Sequence, residues 1–598
     1  MEQKITAFLP LSLFLASSAW AGVDYQIDLT SPTQHLAKVE VKFPQIAAGD
    51  FSVNLPVWRT GKYQELPLAD GVRRFVAVDE NGQELPWQRN ASGEWVIQLA
   101  KPSKVSVSYQ LYADELGQRT RHIDATHAYL DASSVFMYSP AFRDEAVTVS
   151  LKVPGEWQSY SGMQSGNGAH SFVAPNYDVL VDSPIETGIS HHRKFTSAGR
   201  DYELVVWGEG NYDLEQMVTD LTKLGTQANA IWDGFPFERY VYMVHATSGA
   251  RGATEHLNST VIQLPRFMFR ERKDYLRFIS TASHEFIHTW NVKAYRPAGL
   301  VPYDYQNEAM TSLLWMAEGS TSYFQHQLLA RAGVITPKEL LEDIATRIDR
   351  HQHTPGREIQ SVAEASLGQW VAQGGDYAHN HSVNIYSEGY MASLALDMAI
   401  LSDTKLKHSY RDVHRNLYKD FALPKGYTES DVKGILKSLT GKDYASWWHA
   451  NIDSPLALDF DELLSRAGLK LAYGKEGKQK PYPGFTQSSL KIQTLDRGGN
   501  AWKAGLVAGN EIVAINGLKV TADGFDKRLA DFKPGDKVRV SYFADDKLSE
   551  TELELSARPE GKAEIKPLDK VSSKQKAFFK AWLGIDWPFD AKGDFKKS

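Results

Sequence analysis

Two histidines one helical turn apart, with a glutamate next to the first, are the residues of this chain best suited to chemistry. In the run Ser283-His284-Glu285-Phe286-Ile287-His288-Thr289-Trp290, a helix would place both imidazoles on one face. Such a pair can hold one divalent ion, and Glu285 can then reach a water beside it. This is the H-E-x-x-H pattern of zinc hydrolases, in which the glutamate is the general base. Catalytic zinc takes a third protein ligand and keeps one position open. Glu318 lies 30 residues beyond His288, inside a run from Ser312 to Ala332 that reads as a second helix. A carboxylate facing the first helix from there completes a His284, His288, Glu318 set for a single Zn²⁺. The alternative third histidine of a metzincin, six residues after His288, is excluded because that position is Ala294.

The stretch from His284 to Lys293, His-Glu-Phe-Ile-His-Thr-Trp-Asn-Val-Lys, and the stretch from Glu318 to Tyr323, Glu-Gly-Ser-Thr-Ser-Tyr, together resemble the glycyl-aminopeptidase family of PDZ-containing zinc metallopeptidases. That family belongs to the thermolysin-like, glutamate-liganded zinc peptidases (gluzincins), and the resemblance covers most of the chain. It implies a zinc-dependent aminopeptidase acting on peptides, with a preference for small N-terminal residues such as glycine or alanine. Gly252-Ala253-Thr254-Glu255-His256 resembles the Gly-Ala-Met-Glu-Asn-like segment of related aminopeptidases. There Glu255 would bind the substrate α-ammonium, and Gly252 and Ala253 would let the backbone approach the ligand. Thr254 and His256 depart from that segment. Tyr386-Ser387-Glu388-Gly389 resembles a Tyr-x-Lys-Gly segment whose tyrosine donates to the oxyanion, with Glu388 in place of the lysine. Tyr323 and Tyr390 compete for that role. Two other readings stay open: an endopeptidase on the same site, and a catalytically silent PDZ-type peptide-binding scaffold with zinc as a staple.

The elements that must position these residues form a multidomain α+β chain. Its 598 residues, 42% of them hydrophobic, suffice for several cores, and the net charge of -7 gives no reason to expect nucleic acid. A basic start, an apolar run from Ile5 to Ala16 and Ala19-Trp20-Ala21 read as a secretory signal over 1–21. This implies export to the periplasm or medium of a bacterium, with no membrane span in the mature form. The absence of cysteine excludes disulfides and thiol catalysis.

Residues 22–192 alternate with period two in short segments such as Val39–Phe43 and Val105–Tyr109, and predict an all-β domain, a sandwich. Within it, Pro56–Tyr63 resembles part of the same family's N-terminal domain and reads as a packed aromatic corner rather than a catalytic element. Residues 193–355 predict a thermolysin-like α/β lobe. It holds a helix from Asp213 to Trp232, a strand at Tyr240–His245 and the histidine helix from Asp274 to Lys293, its apolar stripe formed by Phe278, Ala282, Phe286 and Trp290. Lys293 and Arg296 read as surface charge. Residues 356–468 predict the helical lobe, with a polar loop at Gln373–His381 whose His379 and His381 read as ordinary polar residues. Residues 469–560 look PDZ-like through Ala504–Gly517 and offer a possible site for a peptide C-terminus. In the tail, 561–598, Phe578, Phe579 and Trp582 are spaced to dock a helix on the body. The sequence does not set the oligomeric state.

Overall fold

A computed structural model describes residues 22–475 and 477–596; the expected signal segment lies outside the described residues. The chain opens in a seven-stranded sheet, with a five-stranded and a three-stranded sheet beside it, in a sandwich-like arrangement. Strand Val23–Asp28 runs parallel to Val147–Lys152 and antiparallel to Leu36–Ile46. Alternation decides which faces are buried: Val39, Val41 and Phe43 point inward and are at most 2% exposed.

A second five-stranded sheet begins the next region, in the order Ser190–Ser197, Arg200–Trp207, Arg239–Thr247, Ser259–Pro265, Gly252–Glu255. Its middle strand is parallel to both neighbours. The unbroken apolar run Tyr240–Val244 suits that place, because a parallel central strand is covered on both faces. The last strand, Gly252–Glu255, pairs among the described residues only with Ser259–Pro265 and forms an edge of the sheet. The helix expected over Asp213–Trp232 is shorter, Leu214–Gly225, followed by a single 3-10 turn at Ala228–Ala230. A Cβ on Gly225, the last residue of that helix, would stand 2.6 Å from the Ser197 hydroxyl and 3.2 Å from the Tyr202 hydroxyl.

Three helices carry the candidate chemistry. The histidine helix, Arg272–His288, buries Phe278, Ala282 and Phe286 completely, at the predicted spacing. It stops five residues short of the expected Lys293, and the chain leaves through Val292, whose φ of +110° is rare for a β-branched residue. The glutamate helix, Leu314–Arg331, and the tyrosine helix, Ile385–Asp403, are buried nearly all round. They cross at two glycines. A Cβ on Gly389 would come within 2.9 Å of the Gly319 Cα and the Trp315 carbonyl oxygen, and one on Gly319 would overlap the Gly389 backbone.

The C-terminal region, from Phe485 to Leu555, has its own core of residues such as Ile492, Leu506, Ile512 and Val540. It is tied to the helices by Asn380, whose amide donates to the Gln493 carbonyl (2.6 Å) and accepts from the Leu495 N–H (2.9 Å). The tail helix, Ser573–Leu583, buries Phe578, Phe579 and Trp582 on the body, and the Trp582 indole donates to the Tyr323 hydroxyl at 2.8 Å. No helix among the described residues is long and apolar enough to cross a membrane.

The glycine crossing sets the gap between the glutamate and tyrosine helices. Gly319→Ala is therefore predicted to destabilise the protein by about 1–3 kcal/mol through overpacking. Thermal unfolding checks this; a melting temperature equal to the parent's would show that the crossing tolerates a methyl group.

Candidate metal centre and substrate cleft

The histidine and glutamate helices pack so that three side chains meet. His288 Nε2 lies 3.0 Å from His284 Nε2 and 3.3 Å from Glu318 Oε2, and His284 Nε2 lies 3.7 Å from the same oxygen. Donors about 2.1 Å from a tetrahedral ion stand about 3.4 Å apart, so these separations bracket the required edge. The tautomers are fixed from behind. His284 Nδ1 faces the Gln325 side-chain oxygen at 2.8 Å, and His288 Nδ1 faces the Asn291 carbonyl at 2.9 Å. With both Nδ1 protons so engaged, both Nε2 lone pairs aim at one point. Asn291 also donates to the Met316 and Ala317 carbonyls at 2.8 and 3.0 Å, joining the loop after the histidine helix to the first turns of the glutamate helix.

The Glu318 carboxylate favours positive charge at that point, whether a proton on His288 Nε2 or a metal ion in its place. Burial opposes a charge on His288, yet the Glu318 carboxylate outweighs it and raises the imidazole to about 10. Burial likewise works against the Glu318 charge, but His288 and His284 hold its carboxyl down at about 2. The donor set of two imidazoles and a carboxylate fits zinc.

Around this centre is a cavity of about 350 Å³. Glu285 faces it, with Oε2 buried and unpartnered. Burial, reinforced by Glu255 and Glu318 and opposed by His288, pushes its carboxyl up to about 8. Glu255, at the end of the edge strand, is 4% exposed and its Oε1 has no partner. Tyr386 follows the cap Asn384, whose side chain accepts from the Tyr386 N–H at 2.9 Å. Its ring lies 6.0 Å from that of His284. Desolvation and the carboxylates of Glu318, Glu255 and Glu285 raise its pKa well above 10, so the hydroxyl keeps its proton.

His284, Glu285, His288, Glu318, Glu255, Ala253 and Tyr386 thus all line one cavity, and Gly252 adjoins it in the same strand. Tyr323 and Tyr390 do not. Tyr323 is buried against Asp397 at 2.6 Å, and Tyr390 packs under the Arg347 guanidinium. Glu388, in the lysine position of the resembling segment, turns away to His351 Nδ1 at 3.0 Å.

The β-sandwich supplies a further wall, from residues that no catalytic motif marks. Trp58 does pack as an aromatic corner, its ring 5.0 Å from that of Trp370. But the residues just after it, Gly61, Lys62, Tyr63 and Gln64, together with Arg119, line the cavity. Gly61, at φ +82°, touches the Glu255 carboxylate with no room for a Cβ. The likeness of Pro56–Tyr63 to a family segment was the available signal. Lys293 and Arg296 are also not surface charges. Lys293 is 2% exposed, and its ammonium donates to Asp182 at 2.7 Å and to the Thr60 hydroxyl at 3.0 Å. Asp182 accepts from the Leu257 N–H at 2.8 Å as well, so one carboxylate pins the sandwich to the strand end behind Glu255.

A second grouping of ligand types, His127, Glu186 and His245, is already saturated. Glu186 bridges His127 Nδ1 at 2.8 Å and His245 Nε2 at 3.0 Å, while Gln263 and His122 take the remaining nitrogens. It locks the sandwich to the second sheet.

The Peptidase M61 N-terminal domain model matches residues 24–189, and the M61 glycyl aminopeptidase model matches residues 277–392. A crystal structure of an aminopeptidase N family protein from Idiomarina loihiensis superposes with a TM-score of 0.83 at 25% identity, covering 94% of this chain and 100% of that one. An M1 zinc metallopeptidase from Deinococcus radiodurans is more distant: TM-score 0.45 and 14% identity, over 71% of this chain and 91% of that one. A search of curated proteins returns no match. The resemblance read from the two motifs is borne out.

Loss of a partner behind a ligand typically weakens metal binding about 10–100-fold, so loss of a donor must cost more. Glu318→Ala is predicted to weaken zinc binding by over about 100-fold and Gln325→Ala by about 10–100-fold. Titration against a competing chelator measures both; an unchanged affinity in Glu318→Ala would remove that residue from the centre.

Proposed function

We propose that this chain, a metallopeptidase of the M61 glycyl-aminopeptidase kind, is a zinc-dependent aminopeptidase that removes small N-terminal residues, glycine or alanine, from peptides. The observation that carries the reading is the Glu255 carboxylate, buried with an unpartnered oxygen in the same cavity as the His284, His288 and Glu318 donors. A buried carboxylate with an unpartnered oxygen is costly unless a cation completes it, and the α-ammonium of a peptide does so. Gly61 lies against that carboxylate and bounds the cavity at the Glu255 end. A wall at the α-ammonium end supports an exopeptidase over an endopeptidase, and the preference for a small first residue rests on the family resemblance.

His284, His288 and Glu318 would hold one zinc ion, which supplies Lewis-acid polarisation of the scissile carbonyl and acidifies a water. Glu255 fixes the chain end, turning attack into an effectively unimolecular step. Glu285 accepts the proton of the attacking water at its free Oε2 and passes it to the leaving amine. The Tyr386 hydroxyl donates to the oxygen that gains charge, a contribution of roughly 2.7–4 kcal/mol for a donor of this kind.

The same proposal takes residues 469–560 as a PDZ-like module with a possible peptide C-terminus site, and residues 1–21 as a signal for export to the periplasm or beyond. Support for the module is its own core and the open edge of strand Phe485–Ser488.

Glu285→Gln is expected to bind zinc as the parent does while losing about 10²–10⁴-fold in kcat. The parent should cleave a peptide with a free alanyl N-terminus far faster than its N-acetylated form, and Glu255→Ala should lose about 10–100-fold on the free form. Steady-state kinetics with zinc analysis decide. Equal cleavage of free and acetylated peptides would establish an endopeptidase instead, and full activity in zinc-loaded Glu285→Gln would reject it as the base.

A further inference from the structure

The cleft holds two cations that the aminopeptidase reading leaves without a task. Lys62 and Arg119, both from the β-sandwich, line the cavity that holds Glu255 and Glu285. Neither has an ion-pair partner among the described residues. Arg119 Nη1 donates only to backbone carbonyls, Arg251 at 2.9 Å and Gly117 at 3.3 Å, and its Nε is buried with no partner. Arg119 also sits at φ +56°, a conformation a side-chain-bearing residue adopts rarely, at a site the surrounding structure holds in place. A third cation, Arg59, is 2% exposed behind them and donates to the Gln118 and Thr60 carbonyls. The Glu255, Glu285 and Glu318 carboxylates line the same cavity, yet none of them forms an ion pair with Lys62 or Arg119, so these cations stay available to an anion from solution.

Their position along the edge strand gives the direction. The Arg119 guanidinium packs on Gly252, where a Cβ would overlap it, while Glu255 stands at the other end of Gly252–Glu255. Three residues of strand span about 10 Å. An extended dipeptide reaches about 7 Å and a tripeptide about 10–11 Å. A peptide laid along this edge with its α-ammonium on Glu255 brings the far end of its second or third residue to Arg119.

We propose that Arg119, aided by Lys62, reads the C-terminal carboxylate of the substrate, so that this enzyme is built for di- and tripeptides with a free C-terminus. The inference rests on the aminopeptidase reading and specifies its substrate class. Arg119 offers its uncommitted Nη2 to a carboxylate as a charge-assisted donor, and Lys62 supplies a point charge. Both are specificity residues; neither takes part in bond cleavage.

The test is a kcat/KM comparison on the zinc-loaded full chain for Ala-Ala, Ala-Ala-Ala, Ala-Ala-NH₂, Ala-Asp-NH₂ and alanyl p-nitroanilide, in the parent, Arg119→Gln, Arg119→Lys and Lys62→Gln. The parent is expected to prefer Ala-Ala over Ala-Ala-NH₂ by at least about 10-fold, chiefly in KM. That ratio should fall towards one in Arg119→Gln, recover in part in Arg119→Lys, and fall less steeply in Lys62→Gln. Zinc content and turnover of the anilide report that each variant is folded. A parent ratio of one or below, or a ratio unmoved in both glutamine variants, overturns the proposal while anilide turnover leaves the aminopeptidase reading standing. Faster cleavage of Ala-Asp-NH₂ than of Ala-Ala also overturns it, in favour of an acidic second side chain. Failure to cleave the anilide and every free-amine peptide overturns both.

Discussion

Two imidazole lone pairs and a carboxylate oxygen aimed at one buried point are unstable neighbours unless a cation stands among them. The rest of the catalytic region can be understood as the means of keeping them so aimed. Gln325 and Asn291 engage the outer nitrogens of His284 and His288, which leaves the inner ones bare. Asn291 also clasps the start of the glutamate helix, so the loop that orients one ligand locates another. The strained Val292 follows directly. The third helix is brought close by the absence of side chains at Gly319 and Gly389, and it carries the Tyr386 hydroxyl to the rim of the same cavity. Packing between helices and the chemistry of the centre are thus one problem with one solution.

The β-sandwich is part of that solution. Its Gly61–Gln64 segment and Arg119 line the cavity, with Gly61 against Glu255 and Arg119 over Gly252. Two buried charge networks hold it in register with the second sheet. In one, Lys293 and Asp182 meet Thr60 and the Leu257 backbone, immediately behind Glu255. The other runs from His122 through His127 and Glu186 to His245 and Gln263. Burial alone would drive such groups to neutrality. Asp182 instead stays well below the usual carboxylate range because Lys293 and His256 offset its desolvation. Breaking a buried pair on one side leaves the other charge stranded, so the cleft wall and the catalytic lobe have little freedom to part.

Much of the centre was legible in the sequence because metal chemistry constrains residue type and spacing together. H-E-x-x-H on a helix fixes two ligands and a base, and Glu318 followed from the need for a third donor on a facing helix. The helix stripes were equally readable, since Phe278, Ala282 and Phe286 repeat at the helical period. What the sequence hid were residues whose task depends on a distant partner. Lys293 looks like surface charge until Asp182, 111 positions earlier, is seen beneath it. Arg119 and Lys62 have no local pattern at all, because they are defined by the cleft they face rather than by the strands they flank. The histidine helix also ended earlier than its apolar stripe suggested: Trp290 continues the stripe from a turn, stacked 4.6 Å over Trp232.

The most direct measurement is anomalous diffraction at the zinc edge from crystals of the active enzyme. The account predicts one peak about 2.0–2.2 Å from His284 Nε2, His288 Nε2 and a Glu318 carboxylate oxygen. A peak at His127, Glu186 and His245 with none at the former three, or an active crystal with no metal peak, would contradict it.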